Sequence, residues 1–129
     1  MEEFEIKSAN SASKMRFSGI DEDSFRFEIT SPEYSGAVRV YAFTDAHGLA
    51  NLFASFAQAW QGWQGEKKWS SLEGEFAIVA TSDKLGHVRM DVEIHHDFGA
   101  TEPWRLKAAI VVDAGQLGAI AKDAEDFFK

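Results

Sequence analysis

The spacing of apolar residues changes along this chain, and that change constrains the fold more than any other feature. Over the first forty residues the apolar positions recur every second residue. Phe4 and Ile6 alternate with Glu3, Glu5 and Lys7; Met15 and Phe17 with Lys14, Arg16 and Ser18; Phe25, Phe27 and Ile29 with Arg26, Glu28 and Thr30; Val38 and Val40 flank Arg39. Successive side chains of a strand point to opposite faces, so each run is predicted as a strand with one buried and one wet face. The separators at 8–11, 19–23 and 31–36 are rich in Ser, Gly, Asn, Asp and Pro. Such short links between alternating runs imply hairpins and antiparallel pairing.

The period then lengthens. Leu49, Leu52, Phe53, Phe56, Trp60 and Trp63 recur at three- and four-residue steps, which places them on one face of a helix of about four turns. Thr44 or Asp45 is suited to cap its start, and Gly62 and Gly65 to end it. After a loop around Trp69 to Glu73, alternation returns in Phe76, Ile78 and Ala80, in Val88, Met90, Val92 and Ile94, and in Trp104, Leu106, Ala108, Ile110 and Val112. Ser82–Gly86 and Asp97–Pro103 are the connecting turns. A second helix follows, with Asp113 and Gln116 at capping-box spacing and Leu117, Ile120, Ala121, Ala124 and Phe127 as its apolar stripe. The order is ββββ-α-βββ-α. The expected fold is α+β, an antiparallel sheet of about seven strands with two helices packed on one face, in a single domain over residues 1–129.

Composition narrows the function. With 129 residues, eleven Phe and four Trp, the chain has enough apolar bulk for one core and too little length for two. It contains no cysteine, which removes disulfides, thiolate metal sites and a thiol nucleophile. Its opening, Met1-Glu2-Glu3-Phe4-Glu5, lacks the basic region and apolar run of a secretory signal, and no apolar stretch approaches the roughly 20 residues needed to cross a bilayer. A cytoplasmic location is expected. The formal charge of −8 opposes binding to nucleic acid or to an anionic membrane and favours a basic protein partner.

The densest motif is Trp60-x-Gly62-Trp63-x-Gly65-Glu66-Lys67-x-Trp69, followed by Ser71-Leu72-Glu73-Gly74-Glu75, Leu85-Gly86-His87-Val88 and Ala114-Gly115-Gln116-Leu117. Over roughly the last two thirds of the chain this pattern resembles a bacterial family of small single-domain proteins of unknown function. The resemblance implies a bacterial source and a single domain, and it supplies no activity, cofactor or site residue.

Several residues are candidates for chemistry or recognition. His87, Arg89, Asp91, Glu93, His95 and Asp97 share the polar face of one strand. Neighbours on that face stand about 7 Å apart, which suits cross-strand ion pairing better than convergence of His87, Asp91 and His95 on one metal ion. His95 and His96 point to opposite faces, His96 towards the rim of the core. Glu73 and Glu75 form a carboxylate pair that would share a face if the strand began there, and a charged start to that strand explains them. Trp60, Trp63 and Trp104 lie on apolar stripes, whereas Trp69, in a Lys- and Ser-rich loop, is the candidate exposed anchor. The glycines form no phosphate-binding pattern, and no serine lies in a nucleophile elbow.

These observations favour a non-catalytic binding or interaction module, with Trp69, Arg89, Asp91, Glu93 and His95 as interaction residues. One concrete form is an immunity-type protein that neutralises a basic toxin by charge complementarity. The chain is expected to act without a cofactor, as a monomer or homodimer. The alternative is a small-molecule binder or enzyme with an aromatic-lined pocket between the helices and the sheet.

Overall fold

A computed structural model describes the chain except for Phe43, Thr44, Ala46 and Phe98. The alternating segments of the first half form β1 (Glu3–Lys7), β2 (Lys14–Ser18), β3 (Ser24–Ser31) and β4 (Tyr34–Tyr41). They pair in sequence order as an antiparallel four-stranded sheet. Phe4, Phe17, Phe27 and Val38 occupy one cross-strand rung of its inner face. Both faces follow the period-2 pattern: Phe17, Phe27 and Ile29 are fully buried, while Glu3, Glu5, Lys14, Arg16 and Glu28 pair across the outer face. The link between β3 and β4 is tighter than the sequence suggests, because Tyr34, Ser35 and Gly36 already belong to β4 and only Pro32 and Glu33 turn.

The second half builds a separate four-stranded antiparallel sheet from β5 (Lys67–Ser70), β6 (Phe76–Ser82), β7 (His87–His96) and β8 (Trp104–Asp113). The fold is therefore α+β with eight strands in two sheets, instead of about seven in one. The additional strand is β5, which the sequence reading placed in a loop. It has four residues and one apolar side chain, too few to show a period. Its Lys67 faces inward yet keeps its ammonium 5.3 Å above the Trp63 ring, an attraction that makes an inward lysine tolerable.

The helices are α1 (Gly48–Gln58) and α2 (Leu117–Phe127). Leu49, Leu52, Phe53 and Phe56 form the buried stripe of α1. The helix is shorter than its apolar spacing suggests, since the chain leaves it at Ala59 and turns at Gly62 with φ 112°. Trp60 is consequently carried off the stripe and is 58% exposed. The side chain of Asp45 caps no helical N–H, and Thr44 lies outside the described residues. A short 3-10 turn (Ala114–Gln116) precedes α2. There the Gln116 side chain accepts the Asp113 N–H at 2.9 Å and donates to the Lys7 carbonyl at 2.9 Å, tying β1 to the start of the helix.

Both sheets and both helices contribute to one core cluster. At its centre Phe17 stacks on Phe4 at 4.5 Å and meets Phe27 and Phe53 edge-on. Phe127 and Phe128 of the C-terminal segment close over Phe4 and Phe25. Phe27 touches Phe76 at 4.6 Å, which joins the two sheets. Gly36 of β4 lies so close to Leu106 and Ile94 that a β-carbon there would fall 2.7 Å and 3.3 Å from their methyl groups. The second sheet thus crosses the inner face of β4 and leaves the strand's outer edge beside the end of β7.

Candidate functional site

Where β4 passes the ends of β6 and β7, a surface cleft of about 250 Å³ opens. Three segments far apart in sequence line it. β4 supplies Val38, Arg39 and Tyr41; the turn before β6 supplies Glu73 and Glu75; the end of β7 supplies His95, His96 and Asp97.

Each wall has a local cause. Ser71 folds the β5–β6 turn onto itself: its backbone N–H donates to the Phe76 carbonyl, and its hydroxyl accepts the Phe76 N–H at 3.2 Å. Strand β6 therefore begins at Phe76, and Glu73 and Glu75 belong to the turn and not to a strand face. They still reach one site, because the Glu75 carbonyl accepts the His95 N–H at 3.1 Å and holds the turn against β7. Glu75 also extends its carboxylate across the cleft, where Oε1 accepts the Tyr41 N–H at 3.0 Å. His95 and His96 point to opposite sides of β7, as expected for neighbours on a strand. Both line the cleft because it wraps the strand's end. His95 is the more buried of the two and His96 is exposed, the reverse of the core-rim position expected for His96.

The electrostatics are asymmetric. Glu73, Glu75 and Asp97 contribute three carboxylates. The Arg39 guanidinium is already engaged, donating to Ser24 Oγ at 2.8 Å and to Asp21 Oδ2 at 2.9 Å. Backbone N–H groups of Asp23 and Ser24, and then Arg39, hold the Asp21 carboxyl below its ordinary pKa, so this pairing persists at neutral pH. Arg105 reaches Asp97 at 3.6 Å while making its closer bond to Glu93 at 2.8 Å. His95 Nδ1 lies 3.2 Å from Asp97 Oδ1 without hydrogen-bond alignment, and it is buried without a partner among the described residues. The cleft thus offers acceptors in excess of the cations that serve it. Exposed apolar side chains flank it: Tyr41 is 48% exposed, Leu72 precedes Glu73, and Trp104 is the cross-strand partner of His96.

The residues singled out from sequence fall in three places. His95 lies in the cleft. Arg89, Asp91 and Glu93 lie on the outer face of the second sheet, where Arg89 chelates Asp91 at 3.0–3.2 Å and Glu93 pairs with Arg105 and Lys107. Trp69 faces the other way, on the rung shared with Ile78, Val92 and Ala108. Its ring packs against Phe76 at 5.9 Å, and its indole N–H donates to Asp45 Oδ2 at 2.7 Å. His87 stands between Asp83 at 2.9 Å and Asp113 at 3.7 Å, eight residues along β7 from His95 and therefore roughly 26 Å away. Among the described residues no three His, Asp or Glu side chains are grouped to hold a metal ion.

The four tryptophans also separate. Trp63 stacks on Phe56 at 5.3 Å, Trp69 packs on the core, and Trp60 and Trp104 are exposed. Phenylalanine rings occupy the space between the helices and the sheets, where an aromatic-lined pocket was the alternative expectation. A recess of about 530 Å³ instead lies on the surface, between the Trp63–Gly65 turn and Ser82–Lys84.

Sequence reasoning missed Arg39 and Tyr41, which look like the wet face of an ordinary strand. The chain belongs to a family of unknown function, DUF6228, whose model matches residues 6–129. That match reaches back into β1 of the first sheet, beyond the last two thirds that carry the Trp-Gly motif. No curated protein matches the chain. No helix among the described residues is long and apolar enough to cross a membrane.

Proposed function

We propose that this protein is a non-catalytic binding module that recognises a basic protein partner through the cleft between β4 and the end of β7. The observation that carries the reading is the grouping of Glu73, Glu75 and Asp97 around a recess whose one arginine is already paired. Glu73 and Glu75 have no ion-pair partner among the described residues and Asp97 shares Arg105 with Glu93, an excess of negative charge that favours a ligand bringing its own positive charge. The formal charge of −8 adds long-range attraction for the same partner. Exposed Tyr41 and Trp104 beside the cleft are residue types that anchor protein interfaces. An immunity-type protein that neutralises a basic toxin in a bacterial cytoplasm is one concrete form of this role.

The test is retention of proteins from a lysate of the source cells on immobilised wild type and on an E73Q/E75Q/D97N variant, at low and moderate salt. The substitutions keep hydrogen-bonding side chains of similar size and remove three charges. A basic protein held by the wild type, lost from the variant and released by salt is the expected result. Identical retention by both forms, or retention indifferent to salt, would count against the cleft as the contact surface.

A further inference from the structure

The free edge of β4 runs along the cleft and adds backbone donors and acceptors to its side chains. Strand β4 ends the first sheet, so only one of its edges pairs. The two-residue turn at Pro32 and Glu33 makes Ser31 and Tyr34 a hydrogen-bonded pair. From there, even-numbered residues of β4 direct their N–H and C=O groups towards β3. The Ala42 N–H, donating to the Asp23 carbonyl at 2.9 Å, continues that alternation. Odd-numbered residues direct theirs outward, as the Tyr41 N–H shows by donating to Glu75. The outward N–H and C=O groups of Ala37 and Arg39 have no partner among the described residues.

We propose that the basic partner binds as an extended segment added to the edge of β4, with a lysine or arginine side chain set among Glu73, Glu75 and Asp97. This rests on the cleft reading above and gives it a binding mode. Charge selects the occupant: the edge lies beside three carboxylates, and Arg39, the arginine in its wall, is held by Asp21 and Ser24. An added strand would pair with the Ala37 and Arg39 backbone, and its alternate side chains would face the cleft. Glu75 already satisfies one donor of this edge at Tyr41, which shows that the carboxylate reaches the line such a strand would follow. Exposed edges are commonly blunted by lysine, proline or a bulge. Between Tyr34 and Val38 this edge has neither lysine nor proline.

The probe is a displayed library of random twelve-residue peptides, selected on the wild-type protein. Enriched peptides are expected to carry Lys or Arg at alternate positions. Their affinity should fall at least about tenfold in E73Q/E75Q/D97N, the equivalent of one charged hydrogen bond. It should fall comparably in Ala37→Pro, which removes an outward N–H and leaves the pairing with β3 intact. Amide hydrogen exchange on the wild type gives a readout that does not depend on either variant folding. Bound peptide should slow exchange at Ala37 and Arg39 and leave Val38 and Val40, already bonded to β3, unchanged. Unchanged exchange at Ala37 and Arg39, or full binding by Ala37→Pro, would overturn strand addition; the cleft reading would survive if neutralising the carboxylates still abolished binding. Enriched peptides without basic residues, or no enrichment, would overturn both.

Discussion

The bond between Trp69 and Asp45 decides whether Trp69 is structural or free to anchor a partner, and a double-mutant cycle measures it. The indole N–H donates to Asp45 Oδ2 at 2.7 Å, linking β5 to the start of α1 across 24 residues of chain. Gly48 packs beneath this bond so closely that a β-carbon would collide with both partners. A net hydrogen bond to a charged group is worth about 1.5–3 kcal/mol when shielded, but Asp45 is exposed and water competes for it. A coupling of about 1 kcal/mol is therefore expected. Trp69→Phe also loses part of a ring packed on Phe76, adding about 1 kcal/mol, for a total near 2 kcal/mol. For 129 residues the unfolding entropy is roughly 0.27 kcal/mol/K, so Trp69→Phe should lower Tm by roughly 7 °C. Asp45→Ala should cost about 1 kcal/mol and the double variant about 2 kcal/mol, not the sum of the two. Urea unfolding followed by circular dichroism gives all four corners. A coupling below about 0.3 kcal/mol would mean that the bond does not form in solution, and Trp69 would then be available as the exposed anchor that its neighbours in sequence suggest.

Two further outcomes test the core and the loops. Phe17 is fully buried and contacts Phe4, Phe27 and Phe53, so Phe17→Ala should cost about 3–5 kcal/mol in urea unfolding, and a loss under 1.5 kcal/mol would contradict the packing. The Asp83 carboxyl is held below its ordinary pKa chiefly by the backbone N–H of His87 and also by that of Leu85, and Asp21 chiefly by those of Asp23 and Ser24. A lowered folded-state pKa stabilises the protein above the unfolded value, near 3.9, and that contribution disappears as pH falls through the folded value. Asp83→Asn and Asp21→Asn should therefore be less stable than the wild type at pH 7, with urea midpoints that converge on it in strong acid; a gap independent of pH would show that these carboxylates are not depressed.

The fold was legible where a residue's spacing and its environment agree. Four alternating runs in the first half each became a strand, because a two-residue period has one structural solution when half the positions are apolar. Agreement failed where one residue obeyed something other than burial. Lys67 faces inward because the Trp63 ring accepts its charge, and this hid β5. Trp60 continues the apolar spacing of α1 but lies past the helix end at Gln58, where the chain already bends towards the Gly62 turn, so it reads as core and sits on the surface. The division into two sheets was not legible at all. Alternation fixes which face of a strand is buried and carries no information about which strands share a sheet. The close approach of Gly36 to Leu106 and Ile94, which sets the crossing, is a contact between distant segments that no local pattern records.

The candidate site shows the same division at the level of chemistry. His95, the Glu73–Glu75 pair and Asp97 each stand out in the sequence, and each taken singly reads as a solvated charge at a strand end. Their meaning depends on a backbone bond from His95 to Glu75 and on the passage of β4 alongside. Arg89, Asp91 and Glu93 illustrate the converse: they form an alternating charged run along one strand, yet each finds an opposite charge within its own sheet. A charge that is answered locally contributes order to the surface and little affinity for anything else. Recognition is better sought where the answering charge is missing. The cleft is such a place on the proposed reading: Glu73 and Glu75 have no ion-pair partner among the described residues, Arg39 in the wall is held by Asp21, Arg105 reaches only Asp97 of the cleft's carboxylates, and the adjoining strand edge still has backbone donors and acceptors to offer.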